Sequence, residues 1–180
     1  MLSQVERQPQ AMRIIAGTML MAAFVLIAFA LISRYAGAWG VPYFGFTTDR
    51  GSTCTNNLTG YTCSPVNLRD VEFFGDVDLP NDTAVKQSTY VSTHDFDLDA
   101  RMEVPKKSAA AALKALNAAY GPCQPDHSSP LETKGIANLC VMANDDAITG
   151  SGETTSRVYV VGTGLRKDGV RVITLSVKSR

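Results

Sequence analysis

The sequence predicts an α+β protein with one N-terminal transmembrane helix, followed by a small, mainly antiparallel sheet with one packed helix. Three observations predict it. Ile14 to Ser33 is a run of 20 residues without a charge or a proline. His94, Phe96, Leu98, Ala100, Met102 and Val104 alternate with Asp95, Asp97, Asp99, Arg101 and Glu103. An alanine-rich segment, Ser108 to Tyr120, ends at Gly121-Pro122.

The apolar run is the strongest of the three. As a helix it would span ~30 Å, the thickness of a bilayer's hydrocarbon core. It has no polar stripe of the kind a soluble core helix carries. Arg13 and Arg34 bracket it, and Tyr35, Trp39 and Tyr43 follow at headgroup level. The run exceeds the ~7–15 apolar residues of a cleaved signal, which favours a retained anchor. Ala36-Gly37-Ala38 nevertheless has the small-x-small form a signal peptidase accepts. Cleavage after Ala38 would give a secreted soluble protein beginning at Trp39.

The cysteines give the orientation. Cys54, Cys63, Cys123 and Cys140 all lie C-terminal to the apolar run. An even number on one side of a membrane segment reads as two disulfides in an oxidising compartment. Local pairing, Cys54 with Cys63 and Cys123 with Cys140, is favoured among three connectivities. Zinc is the rival reading, through Cys123-x3-His127. The paired C-x2-C or H-x3-H units that zinc sites usually show are missing from the sequence.

The expected organisation follows. Residues 1–13 form a cytoplasmic stub, 14–34 a transmembrane helix, 35–65 a juxtamembrane and cysteine-bounded loop segment, and 66–180 an extracytoplasmic α+β domain. Val71 to Gly75 reads as a short strand. The alternation from His94 to Val104 reads as a half-buried strand with His94 on its apolar face, extended backwards by Tyr90 and Val91. Ser108 to Tyr120 reads as a helix, with Leu113, Leu116 and Tyr120 on its apolar stripe. Ile136 to Met142 reads as a strand. Arg157 to Leu165 and Val170 to Lys178 flank Asp168-Gly169, a strong hairpin signal.

Charge excludes some functions. Lys and Arg number 17, as do Asp and Glu, so the chain is not a generally basic nucleic-acid binder. Charge is nonetheless uneven along the chain. Asp70 to Glu103 holds nine acids against two bases, and Arg157 to Arg180 holds six bases against one acid. Neighbouring strands would cancel these charges by cross-strand pairing; opposed faces would make the molecule polar.

Chemistry is harder to find. Asp95, Asp97 and Asp99 would stand ~6.6 Å apart on one strand face and are weak candidate metal ligands. A calcium loop would need glycine and an acid where Ala100 and Lys106 stand. A solvated strand face is the favoured reading. No catalytic residue and no cofactor is assigned, because nucleophile elbows, zincin helices and phosphate-binding loops are missing from the sequence. The expectation is a membrane-anchored extracytoplasmic accessory or binding module that contacts lipid through Ile14–Ser33. It would act through a protein partner, as in a membrane complex. A small envelope hydrolase or metal-dependent enzyme using the aspartate row is the alternative.

Overall fold

A computed structural model describes residues 10–124, 127–132, 134–144 and 156–179. The N-terminal helix α1 runs from Gln10–Tyr35. Its stretch Ile14–Tyr35 is long and apolar enough to cross a membrane, and none of it is buried by the rest of the chain. Met19, Leu20, Phe24, Leu26 and Phe29 all project outward. Within the span the Thr18 hydroxyl donates back to the Ile15 carbonyl at 2.9 Å, so it is satisfied inside the helix.

Beyond α1 the described residues build eight antiparallel strands: β1 Gly45–Thr47, β2 Thr53–Asn56, β3 Tyr61–Cys63, β4 Ala84–Ser92, β5 Phe96–Val104, β6 Ile136–Ala143, β7 Arg157–Arg166 and β8 Arg171–Ser179. Their spatial order is β1-β2-β3-β4-β5-β8-β7-β6. Helix α2, Leu68–Gly75, connects β3 to β4, and α3, Ala109–Tyr120, connects β5 to β6. This is the α+β architecture that the sequence predicts.

Both helices lie on one face of the sheet. Leu98, Ala100 and Met102 of β5 oppose Val177, Leu175 and Ile173 of β8, and all six are buried beneath them. Leu116 and Ala112 of α3 and Val71 of α2 complete this core. Alternation on β5 is what creates it, since every second side chain points to the helices. The Tyr120 hydroxyl, buried, donates to the Gly75 carbonyl at 2.6 Å and so ties the end of α3 to the end of α2.

Four expectations change. The segment 35–65 is not a loop: it contributes β1, β2 and β3, which extend the sheet by three strands. Val71 to Gly75 is helix, not strand. The Asn67 side chain accepts from the Asp70 amide at 2.9 Å and so caps α2. The apolar run is too short for its period to separate helix from strand. His94 is not on an apolar strand face. It lies exposed in the connection between β4 and β5, where the Thr93 amide donates to the Asp95 carbonyl. Finally, Tyr90 and Val91 do not extend β5 backwards but belong to its neighbour β4.

The disulfides pair as expected. Cys54 and Cys63 stand opposite each other in β2 and β3 with Cα atoms 4.0 Å apart. Cys123 joins Cys140 of β6 at 5.1 Å. Next to Cys123, Gln124 lies at the free edge of β6, where its amide donates to the Val141 carbonyl and its side chain to that of Ala143. An edge strand presents unpaired backbone groups, and this residue covers some of them.

Candidate interaction surfaces

The aspartate row does not gather into a site. Asp95 is exposed in the β4–β5 connection, outside β5. Asp97 is engaged by Lys178, whose Nζ lies 2.9 Å from Asp97 Oδ2. Asp99 alone stands open on the solvent side of β5. Among the described residues no three His, Cys, Asp or Glu side chains are placed to share a metal ion. Cys123 and Cys140, joined in a disulfide, are not thiolate ligands.

The uneven charge finds its explanation in strand order. Strand β8 lies beside β5, so the basic hairpin meets the acidic strand. Arg166 of β7 reaches Glu103 of β5 at 2.8 Å, and Lys86 of β4 reaches it from the other side at 3.4 Å. Arg157 donates to the Phe74 carbonyl at 2.6 Å and lies 3.6 Å from Asp76. Arg171 is only 4% exposed. It donates to the Ala109 carbonyl and the Thr163 hydroxyl, and burial pulls its pKa below the usual guanidinium value.

Two surfaces remain distinctive. The first is the sheet face turned away from α2 and α3. Gln87 and Thr89 of β4, Asp99 and Arg101 of β5, and Thr174 and Ser176 of β8 line a shallow cavity of about 420 Å³ there. Pro130 forms one wall. It rests against Gly162, where a Cβ would collide with the proline ring. The surface is hydroxyl- and amide-rich, with one exposed charge of each sign. Strict alternation on β5 made its polarity legible in the sequence. That the helices leave this face open was not, because helix placement depends on the connections.

The second surface lies where α1 meets the domain. Ala36 is fully buried, and Gly37 sits so close to Gly45 that a Cβ would overlap the Gly45 carbonyl. The buried Asn56 side chain donates to the Gly37 carbonyl at 2.7 Å. The helix exit is thereby seated on β1 and β2. Beside it opens a groove of about 600 Å³ lined by Arg34, Asp49, Arg50 and Asp70, with Phe46, Tyr61, Phe73 and Phe74 among its walls. The Arg50 guanidinium lies 3.5 Å over the Phe73 ring, a cation–π contact. Asp70 is fully buried. Its Oδ2 accepts from the Thr48 hydroxyl at 2.7 Å and the Ser52 amide at 3.2 Å, while its Oδ1 has no partner among the described residues. Behind the wall the rings continue inward, with Tyr61 and Phe74 both packed on Tyr90. Burial, then the neighbouring Tyr61 hydroxyl, pushes Tyr90 up to about 12.

The sequence reading missed this groove. Its signals were Asn67 at a cap position and Asp70 three residues on, which mark a helix start rather than a loop. Comparison with protein-family models, with curated proteins and with solved structures found no match.

Proposed function

We propose that the chain is a membrane-anchored extracytoplasmic module that acts through a protein partner seated on the open face of its sheet. One arrangement carries the reading: an uncovered apolar helix, the one such span among the described residues, leads directly into a domain that holds both disulfides. A disulfide-linked domain on one side of an apolar span fits an oxidising compartment outside the cytoplasm. The seating of the helix exit supports retention of the anchor. Ala36 and Gly37 are built into the packing against β1 and β2, so the residues that end α1 are part of the folded domain. The open face supports a binding role. It offers donors and acceptors of both kinds at Gln87, Thr89, Thr174 and Ser176, flanked by Asp99 and Arg101, the polar complementarity that non-obligate interfaces use.

The test is site-specific photocrosslinking in intact cells, with the probe at Thr89 or Arg101 and, as control, at Lys114 on the exposed side of α3. The reading predicts a discrete adduct of one mass from the sheet positions and none from Lys114. Equal labelling from both faces, or none from either, contradicts it.

A further inference from the structure

The groove beside the end of α1 is separate from the sheet face proposed for a partner, and its two cations and two carboxylates sum to zero without pairing with one another. Neither Arg34 nor Arg50 forms an ion pair with a described residue, and neither does Asp49. Asp70 keeps one oxygen, Oδ1, buried without a partner. We infer that this groove holds the headgroup of a phosphoethanolamine-class phospholipid from the leaflet at which α1 emerges. The inference rests on the anchored reading, because only a seated α1 brings the groove to that leaflet.

Position is the first argument. Arg34 directly follows the apolar run Ile14 to Ser33, so the groove opens where hydrocarbon gives way to headgroups. Tyr35, Trp39, Val41, Tyr43 and Phe44 form an exposed collar around this exit, with Tyr35 and Trp39 stacked at 6.0 Å. Aromatic side chains with one apolar and one wet end belong at that depth.

Chemistry is the second. Two guanidinium groups in one groove suit a phosphodiester, and Arg50 is placed there by its contact 3.5 Å over the Phe73 ring. A phosphate alone would leave Asp49 and Asp70 uncompensated. A glycerol headgroup brings no cation to meet them, and a choline brings a cation without a donor. A primary ammonium supplies both charge and three donors, which the two carboxylates of the groove can accept.

The test uses the full chain in detergent micelles with equal amounts of phosphatidylethanolamine, phosphatidylglycerol and phosphatidylcholine of matched acyl chains. Bound lipid is counted by native mass spectrometry. The expected result is one retained phosphatidylethanolamine. The double variant Arg34→Gln/Arg50→Gln should retain about tenfold less, the loss of roughly one charge-assisted hydrogen bond's worth of affinity. Arg34→Gln alone, which leaves the Arg50–Phe73 contact in place, should also reduce retention. Asp49→Asn should keep phospholipid bound but erase the preference for ethanolamine over choline. Lys114→Gln on α3 should change nothing. Equal retention of the three lipids by the unaltered protein, or undiminished retention by the double variant, overturns the inference. Glycerophosphoethanolamine should displace the lipid far better than inorganic phosphate; equal displacement would make this a simple anion site and overturn it as well. Alkaline carbonate extraction separates the two failures. Protein that leaves the membrane defeats the anchored reading, and protein that stays but holds no lipid defeats only this one.

Discussion

Lys178 and Asp97 are register partners in β8 and β5, and their side chains meet at 2.9 Å on the solvent side of the sheet. The contact joins the basic C-terminal hairpin to the acidic strand at the centre of the fold. It is an exposed pair, so its energy is small. A double-mutant cycle on Lys178→Ala and Asp97→Ala should return a coupling of about 0.5 kcal/mol that shrinks as salt is added. Hydrogen bonding to Asp97, helped by its charge, raises the Lys178 pKa above 10.5. The pair's contribution is therefore complete below that value and is lost as pH rises through the folded-state pKa. Denaturant titration across alkaline pH checks the sign.

Asp82 gives the opposite sign. Its Oδ2 accepts from the Ser108 hydroxyl at 2.8 Å and lies 3.2 Å from Lys107, joining the start of β4 to the turn that leads into α3. The Ser108 hydrogen bond, then Lys107, lowers its pKa below 3.8. Its contribution should be present above that value and be lost as pH falls through the folded-state pKa, and Asp82→Asn should remove this acid-limb dependence from the unfolding curve.

Cys123 and Cys140 close a loop across 17 residues of sequence separation. Replacing both by serine should cost about 2–4 kcal/mol, read from chemical denaturation, by freeing the unfolded chain. The Cys54 and Cys63 side chains are buried, at 1% and 0% exposure. Their replacement adds the loss of core packing, so reductant should lower the melting temperature of the full protein and not merely loosen one loop.

The strongest sequence signals survived in the structure because each was either long or tied to one backbone conformation. The 20-residue apolar run, the period-two pattern of β5 and the Asp168-Gly169 turn left little choice of conformation. Gly169 indeed has φ of 84°, open to glycine at low cost. The errors fell on short segments. Val71 to Gly75 alternates for too few residues to fix a period, and the cap at Asn67 decided for helix. The strands β1, β2 and β3 are three or four residues each and gain their stability from neighbours, which no local pattern encodes. The groove at the helix exit was illegible for the same reason. Arg34, Arg50 and Asp70 are distant in sequence and meet only once β1, β2 and α2 are in place.

Tyr120 tests the union of the helices. Tyr120→Phe keeps the ring and removes the donor to the Gly75 carbonyl. The cost should be about 1–3 kcal/mol, because that carbonyl is then left buried without its partner. Since the Tyr120 ring also packs, tilted, against that of Tyr159 at 4.8 Å between centroids, an alanine in its place should cost more than phenylalanine.

Gly37→Ala tests the seating of α1. The new methyl would meet the Gly45 carbonyl, and the exit must move to accommodate it. Limited proteolysis of the detergent-solubilised protein should then cut between Tyr35 and Gly45, a segment that should resist cleavage in the unaltered chain. Asn56→Ala, which removes the donor to the Gly37 carbonyl, should act in the same direction.

The most direct measurement is the intact mass of the protein extracted from membranes without reductant. A retained anchor with two disulfides predicts a species that still contains the α1 span and weighs four hydrogens less than its fully reduced form. A species that begins at Trp39, or one that lacks the four-hydrogen deficit, would contradict the account.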